Sequence, residues 1–299
     1  MSVYSQIDSN KFKTILIMVL FMVFVTAVAY IFGQASGYGL SFTGIALIVS
    51  GLTTIGSYYY SDKLVLAMSG AKEIKEKGNP TLFRTVQNLC IGDGLPMPRI
   101  YIIDDSAPNA FATGRDPQHA VLCATTGILG KLDKLELEGV ISHELSHVKD
   151  YDTRLMGIVA VLVGTVAFLA DMFMRNLWWG GMRRESREER GNQGIFIIIG
   201  IVLAILSPII ATLIQLAISR KRELLADANG ALLTRYPEGL ARALEKISKD
   251  KEVLEAATNA TAHLYIVNPF KEKNFGAWFS SLFDTHPPIA ERIKILRSM

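Results

Sequence analysis

Two long stretches near the N-terminus carry no charged residue, and they constrain the fold more than any other feature of the sequence. They run from Thr14 to Phe32 and from Leu40 to Tyr60. About 20 apolar residues are needed to cross the hydrocarbon core of a bilayer. Hydrophobic residues make up 50% of the 299-residue chain, and its mean hydropathy is +0.28. We therefore expect a membrane protein with the lipid bilayer as a partner.

Only a few residues, 34–39, separate the two stretches, so we predict a transmembrane hairpin over residues 1–60. A cleaved signal peptide is the alternative for the first stretch, but signal peptides have shorter apolar regions of roughly 7–15 residues. Because cytoplasmic loops are rich in lysine and arginine, both open ends of the hairpin are expected in the cytoplasm. The lysines at these ends are Lys11, Lys13, Lys63, Lys72 and Lys75.

Two further apolar segments, Leu155–Met174 and Ile195–Ala217, lie in the second half of the chain. If both cross the bilayer, the arginine-rich residues 182–190 face the outside, against the positive-inside rule. It therefore stays open whether this second hairpin, residues 155–217, spans the bilayer or is only associated with it. The soluble part is expected in two pieces, residues 61–154 and 218–299.

The polar pieces show an α+β pattern with a small sheet. Short runs rich in β-branched or aromatic residues predict strands, at Pro98–Ile103, Ala110–Thr113 and Ala120–Ala124. Helical spacing of apolar residues predicts helices, at Ala71–Cys90, Asp133–Asp150, Ser219–Leu233, Glu238–Ser248 and Pro287–Arg297. The two cysteines form no C-x-x-C pair, and no basic block is interleaved with aromatic residues, so neither a thiol metal site nor nucleic-acid binding is indicated.

The sequence His143-Glu144-Leu145-Ser146-His147 lies within the predicted helix Asp133–Asp150. Residues four apart share one helix face, so both imidazoles can bind the same ion. Zinc accepts imidazole and carboxylate ligands and lowers the pKa of a bound water to about 7. Glu144 points to the neighbouring side, where it can take a proton from that water without becoming a ligand. The alternative is a chance occurrence on an ordinary amphipathic helix.

A catalytic zinc needs a third protein ligand, and here the sequence offers a carboxylate. Asp150 occupies the position where a third-histidine pattern, H-x-x-G-x-x-H, requires glycine. Glu223 and Asp227 lie four residues apart on the predicted helix Ser219–Leu233. Glu223 can therefore ligate the metal while Asp227 holds a ligand histidine from behind. Since the ligands must meet on one side of a membrane, the apolar chain between them crosses twice or not at all.

Three motifs together resemble the HtpX family of membrane metalloproteases, which are relatives of the CAAX prenyl protease. These motifs are His143–His147, Arg222–Asp227 and Thr285–Pro288. The similarity runs over nearly the whole chain. It implies an α+β membrane protein with a mostly helical, gluzincin-type metalloprotease domain, a small β-sheet and up to four transmembrane helices.

The resemblance also implies an activity, that of a zinc endopeptidase degrading misfolded or damaged membrane proteins under stress. It implies His143, His147 and Glu223 as ligands of one zinc ion per subunit, with Glu144 as the general base. The location implied is the cytoplasmic membrane, as a multi-pass protein with its catalytic site on the cytoplasmic side. A prenyl-peptide protease and a non-enzymatic metal-binding adaptor remain alternatives, and the oligomeric state is not indicated.

Further residues follow from the same resemblance. An edge strand can bind an extended peptide through its backbone, and the residues resembling the family's edge strand are Asn109, Ala110, Phe111 and Ala112. The alternative for them is a turn followed by a buried strand. His286 precedes two prolines and can donate a hydrogen bond to the oxyanion of the reaction, although a histidine at a helix start is the alternative. Arg222 can assist similarly, with an exposed arginine as the default interpretation.

Overall fold

The computed structural model describes residues 3–35, 39–165, 220–258, 260–269 and 287–299. Over these ranges the chain is a mostly helical α+β protein with a four-stranded sheet. The predicted segment Ile195–Ala217, the part of Leu155–Met174 beyond residue 165, and His286 lie outside the described residues.

Two long helices open the chain and pack against each other. Helix α1 covers Val3–Ala35 and α2 covers Gly39–Met68, which gives lengths of about 50 and 45 Å at 1.5 Å per residue. Within the described residues, Asp8–Ala27 is the one stretch long and apolar enough to cross a membrane. The uncharged segment Leu40–Tyr60 is helical but does not meet that criterion, so a second crossing stays a prediction.

Both long helices expose large apolar side chains. Val23 on α1 is 61% exposed, and Ile48 and Leu52 on α2 are each 65% exposed. Contiguous apolar surface of this kind is unfavourable in water and typical of lipid or protein contact. The exposed apolar side chains of α1 and α2 therefore agree with the membrane protein that the hydropathy of the sequence predicts.

The sheet has the strand order β1-β2-β4-β3 and places β3 at one edge. Its central pair, β2 and β4, is parallel, and the outer pairs are antiparallel. The three predicted strands are confirmed to within one residue at each end. The strands are β1 Lys72–Ile74, β2 Arg99–Ile103, β3 Ala110–Thr113 and β4 Val121–Thr125.

The predicted helix Ala71–Cys90 is wrong in its first half. Residues 72–74 form β1 and pair with residues 100–102 of β2, and a short 3₁₀ turn, Glu76–Gly78, follows. Helix α3 begins only at Pro80 and ends at Asp93. Proline suits a first helical position because it has no N–H to donate. The Asn79 side chain caps this start by accepting a hydrogen bond from the Leu82 N–H at 2.9 Å.

The other predicted helices are largely confirmed. The C-terminal one begins at Ile289 rather than Pro287, because a residue before a proline is disfavoured in the helical conformation. Beyond α3 the helices are α4 Thr126–Lys131, α5 Lys134–Lys149, α6 at 152–165, α7 Arg220–Thr234, α8 Pro237–Lys249 and α9 Ile289–Leu296.

Helix α5 carries the HExxH sequence and is surrounded by other helices and by the sheet. It packs against α3, α7, α8 and β3. A capping box of Asp133 and Glu136 sets its first turn. Glu136 is fully buried, and Arg242 and Lys246 of α8 neutralise it at 3.0 and 2.6 Å. Ion pairs and apolar packing thus fix α5 against α8 and hold the HExxH residues inside the protein.

A glycine permits the close approach of α5 and α8, which gives a first prediction. A Cβ at Gly139 would lie 2.6 Å from Leu240 N and 2.8 Å from Leu240 Cα. Because backbone must move to relieve this overlap, Gly139→Ala is expected to lower stability by about 1–3 kcal/mol. Thermal melting of the detergent-solubilised protein measures the effect.

The matched control for this prediction is Gly130→Ala. Gly130 is exposed in α4 and has nothing within 4 Å of the added Cβ. Alanine is the better helix former, so this variant should melt at or slightly above the wild-type temperature. If the two alanine variants melted alike, the close approach of α5 to α8 would not limit the residue at position 139.

Candidate active site

The two histidines of the HExxH sequence meet a glutamate from another helix. His143 and His147 project from one face of α5, and their Nε2 atoms are 3.2 Å apart. Glu223 of α7 places Oε2 3.7 Å from the Nε2 of His143 and Oε1 3.5 Å from the Nε2 of His147. All three side chains are buried, and they form the candidate metal-ligand group among the described residues.

The spacing of these atoms fits zinc. Tetrahedral coordination with bonds of about 2.0–2.1 Å sets ligand atoms roughly 3.3–3.4 Å apart. The observed separations of 3.2, 3.5 and 3.7 Å lie close to that value. Two imidazoles and one carboxylate are also ligands that zinc accepts. When bound, zinc supplies a Lewis acid that polarises a carbonyl and makes water more acidic.

Asp227 lies next to His143, where the sequence predicts a carboxylate that orients a ligand histidine. Its Oδ1 lies 2.9 Å from the Nδ1 of His143, on the ring side away from the ligand atom. The same carboxylate is held by two bonds from Arg292 of α9, at 2.7 and 2.8 Å. Arg292 is fully buried and also donates to the Ile266 carbonyl at 3.2 Å. The sequence did not single out Arg292, which fixes the supporting carboxylate in place.

Asp152 supports His147 in the same manner, and the sequence did not identify it. Its Oδ2 lies 3.0 Å from the Nδ1 of His147. Its Oδ1 accepts hydrogen bonds from Arg222 at 2.8 Å and from Asn10 at 2.7 Å. Each histidine therefore has its own carboxylate partner, which sets the ring orientation of a metal ligand. Arg222 is buried in this network, so its default interpretation as an exposed arginine is wrong.

Burial and charge shift the pKa values of the site in opposite directions. Burial lowers the pKa of His143 to about 4 and raises the pKa of Glu144 to about 8. For His147, burial lowers the pKa, but the carboxylates of Glu223 and Asp152 outweigh it and raise the pKa to about 9. The carboxylates of Glu223 and Asp152 thus favour a positive charge at His147, which is the sign of charge that a divalent cation brings.

Glu144 faces the edge of the sheet. Its Oε2 accepts a hydrogen bond from the backbone N–H of Ala112 in β3 at 2.9 Å, and its side chain is buried. It is absent from the ligand group that His143, His147 and Glu223 form. A carboxylate outside the ligand group suits a general base, and that role for Glu144 stays a prediction.

The predicted substrate strand occupies the sheet edge, but part of that edge is already paired. Asn109, Ala110, Phe111 and Ala112 are all buried. The Ile266 N–H donates to the Ala110 carbonyl at 3.1 Å, and the Asn109 side chain donates to the Val267 carbonyl at 3.0 Å. The ring of Phe111 packs edge-on against Tyr265, with centroids 5.1 Å apart. The Ala112 N–H on the same edge is bonded to Glu144. Peptide binding along this edge therefore stays a prediction.

The pKa of Asp150, the residue directly after α5, leads to a pH-dependent prediction. It is 4% exposed, and its Oδ1 has no hydrogen-bond partner within the described residues. Burial, and then the charge of Asp152, raise its pKa to about 6. Since an unfolded aspartate has a pKa near 3.9, the folded state binds more protons between these values, and stability falls as pH rises. The ionised carboxylate therefore destabilises the fold at neutral pH.

Asp150→Asn is accordingly expected to raise the melting temperature at about pH 7.5. The gain should shrink as pH falls through 6 and vanish near pH 4, where the carboxyl is protonated in both states. Thermal melts of both proteins across this pH range make the comparison. A gain that did not change with pH would exclude titration of Asp150 as its cause.

The class of protein follows from the ligand count. Structural zinc sites are closed by four protein ligands, whereas catalytic sites use three and leave a position for water or substrate. The described residues provide three, with the glutamate of the HExxH sequence beside them. Fold and site together define a zinc metallopeptidase.

Comparison with known proteins agrees with that class. The model of peptidase family M48 matches residues 76–299. A protease HtpX homolog from Tropheryma whipplei (strain Twist) is 46% identical over 99% of this chain and 98% of its own length. The homolog from Ligilactobacillus salivarius is 44% identical over 99% of both chains. The chain belongs to peptidase family M48, as a homologue of the membrane metalloprotease HtpX.

A solved structure shares the fold. The crystal structure of Ste24p from S. mikatae covers 98% of this chain and 67% of that chain, with a TM-score of 0.51 and 18% sequence identity. The predicted α+β architecture with a small sheet therefore has a counterpart among solved proteins. At this level of identity the likeness concerns the fold and not the substrate.

Proposed function

We propose that this metallopeptidase cleaves misfolded or damaged membrane proteins within the cytoplasmic membrane, as part of quality control under stress. The observation that carries the proposal is the buried group of His143, His147 and Glu223 with Glu144 beside it. This group lies in a chain whose first helix contains a candidate membrane span. One zinc ion per subunit is proposed, because the described residues form a single such group.

Glu144 moves the proton in this proposal. It removes a proton from the attacking water while the water oxygen bonds to the peptide carbonyl carbon. As the C–N bond breaks, the same carboxyl delivers the proton to the leaving amine nitrogen, so no proton is gained or lost. The Ala112 N–H holds the carboxylate at 2.9 Å and aims it at the sheet edge. A peptide paired with that edge would present its carbonyl near both Glu144 and the metal.

The location of the site supports the choice of substrate. Asp152 and Arg222, which lie behind the metal ligands, contact Asn10 at the start of the candidate span. This contact supports the proposal that the site lies close to the bilayer, where unfolded segments of membrane proteins emerge. We propose the multi-pass arrangement with a cytoplasmic site on the basis of the lysines flanking residues 14–60.

The test uses the full chain purified in detergent and then placed in lipid vesicles. We expect one zinc per chain and cleavage of an unfolded protein such as casein, lost with a zinc chelator and restored by added zinc. Failure to cleave with zinc bound would refute the peptidase activity under these conditions.

A second comparison addresses the substrate class. One membrane protein and a destabilised variant of it are placed in the same vesicles as the protease. Quality control predicts faster cleavage of the destabilised variant, and equal rates would refute it while leaving the peptidase intact. A prenylated peptide tested alongside distinguishes the remaining alternative, since a prenyl-peptide protease would cleave that peptide alone.

A further inference from the structure

A buried asparagine at the start of the candidate membrane span contacts the residues behind the metal ligands. Asn10 is the third residue of the candidate span Asp8–Ala27 and is only 1% exposed. Its neighbour Phe12 on the same helix is 67% exposed. A polar side chain buried in this setting is costly unless its hydrogen bonds are made. Asn10 therefore needs partners from the rest of the protein, and it has them.

Asn10 contacts two other parts of the chain. Its Nδ2 donates to Asp152 Oδ1 at 2.7 Å and to the Asp150 carbonyl at 2.9 Å. Its Oδ1 accepts from Arg222 Nη1 at 3.2 Å. An asparagine amide offers two donor hydrogens and one acceptor oxygen, so both ends of the group are engaged. These three bonds join α1 to the chain after α5 and to α7.

Asp152 transmits this contact to the metal ligand. One of its oxygens is held by Asn10 and Arg222, and the other lies 3.0 Å from the Nδ1 of His147. Removing Asn10 would leave the Oδ1 of Asp152 with the Arg222 bond alone, and Arg222 would lose its second acceptor. Carboxylates that orient ligand histidines change metal affinity typically 10–100-fold when they are disturbed.

We propose that Asn10 is a positioning residue, which couples the membrane helix α1 to the metal ligand His147 through Asp152. The coupling makes the geometry of the metal site depend on how α1 is seated in the bilayer. This inference rests on the proposed zinc peptidase only in requiring that His147 bind the metal. It does not depend on the identity of the substrate.

The test compares Asn10→Leu with Thr14→Val in the full chain. Leucine has a similar size and suits an apolar helix but makes no hydrogen bond. Thr14 is one turn further along α1 and equally buried, and its hydroxyl bonds within the helix to the Asn10 carbonyl at 2.8 Å. Thr14→Val thus removes a buried polar group from the same face without touching Asp152.

Two measurements report on the site itself. Zinc affinity is obtained by competition with a chelator, and the visible spectrum of the cobalt-substituted protein reports ligand geometry. We expect Asn10→Leu to weaken zinc binding about 10–100-fold and to change the cobalt spectrum. Thr14→Val should leave both unchanged. Asn10→Gln, which keeps the amide, should recover part of the affinity.

A double-mutant cycle separates coupling through Asp152 from a general loss of structure. In an Asp152→Ala background, Asn10→Leu should weaken zinc binding little further, because the carboxylate it acts on is absent. Full additivity of the two changes would overturn the proposed route.

Other results would overturn the proposal or the function separately. Wild-type zinc affinity and spectrum in Asn10→Leu would overturn the positioning role, and Asn10→Ser decides the matter if the leucine variant does not fold. Absence of zinc binding in the wild type would instead refute the proposed metal site.

Discussion

Glu144→Gln is expected to abolish cleavage and to keep the bound zinc. The glutamine has nearly the same shape, and its amide oxygen can still accept the Ala112 N–H that now bonds Glu144 at 2.9 Å. It cannot accept a proton from water. Because general acid–base catalysis contributes about 10²–10⁴-fold, the cleavage rate should fall by at least about 10²-fold. Metal analysis and a protease assay on the same samples measure both quantities.

Glu138→Gln is the matched control for this experiment. Glu138 lies on the same helix and makes an ion pair with Lys134 at 3.8 Å near the surface. Its amide variant should keep wild-type zinc and wild-type activity. Undiminished cleavage by Glu144→Gln would remove Glu144 as the base. Loss of zinc from that variant would show that Glu144 helps to hold the metal.

The parts of this site that depend on local spacing could be predicted from the sequence. His143 and His147 share a face of α5 because they are four residues apart, and any helix fixes that relation. Glu223 and Asp227 share a face of α7 for the same reason. The structure brings Glu223 within 3.7 Å of the histidines, as the chemistry of a third ligand required.

The supporting residues of the site depend on tertiary contacts, which local patterns do not encode. Asp152 and Arg292 look like ordinary surface charges in the sequence. A sign was nevertheless present for Arg292, which shares a helix face with Ile289 and Leu296, three residues before it and four after it. Asn10 offered a weaker sign as a polar residue where a long apolar helix begins.

Strand β1 is a second case in which a tertiary contact, and not a local sequence pattern, determines the structure. Residues 72–74 carry no distinct strand pattern, and they become a strand because they pair with β2, 28 residues further along the chain. The edge position of β3 was anticipated by resemblance, but its contact with residues 265–267 was not, since no motif connects the two segments.

Glu223→Ala is expected to lose zinc, with a fall in affinity larger than the roughly 100-fold limit typical of supporting residues. The change removes one of three ligand groups, whereas the supporting carboxylates only orient the other two. Zinc affinity by chelator competition and metal content after purification measure the loss. The cleavage activity should disappear with the metal and return only in part at high added zinc.

Asp227→Asn is the comparison that distinguishes a ligand from its support. Asp227 lies one helical turn after Glu223, and its pKa is held at about 2, because Arg292 outweighs the effect of burial. Leaving the buried Arg292 without its carboxylate should cost about 3–5 kcal/mol of stability, while zinc affinity falls only 10–100-fold. Glu223→Ala should therefore bind zinc worse yet melt higher than Asp227→Asn when both are stripped of metal. The opposite order in zinc affinity would make Asp227 the ligand and Glu223 its support.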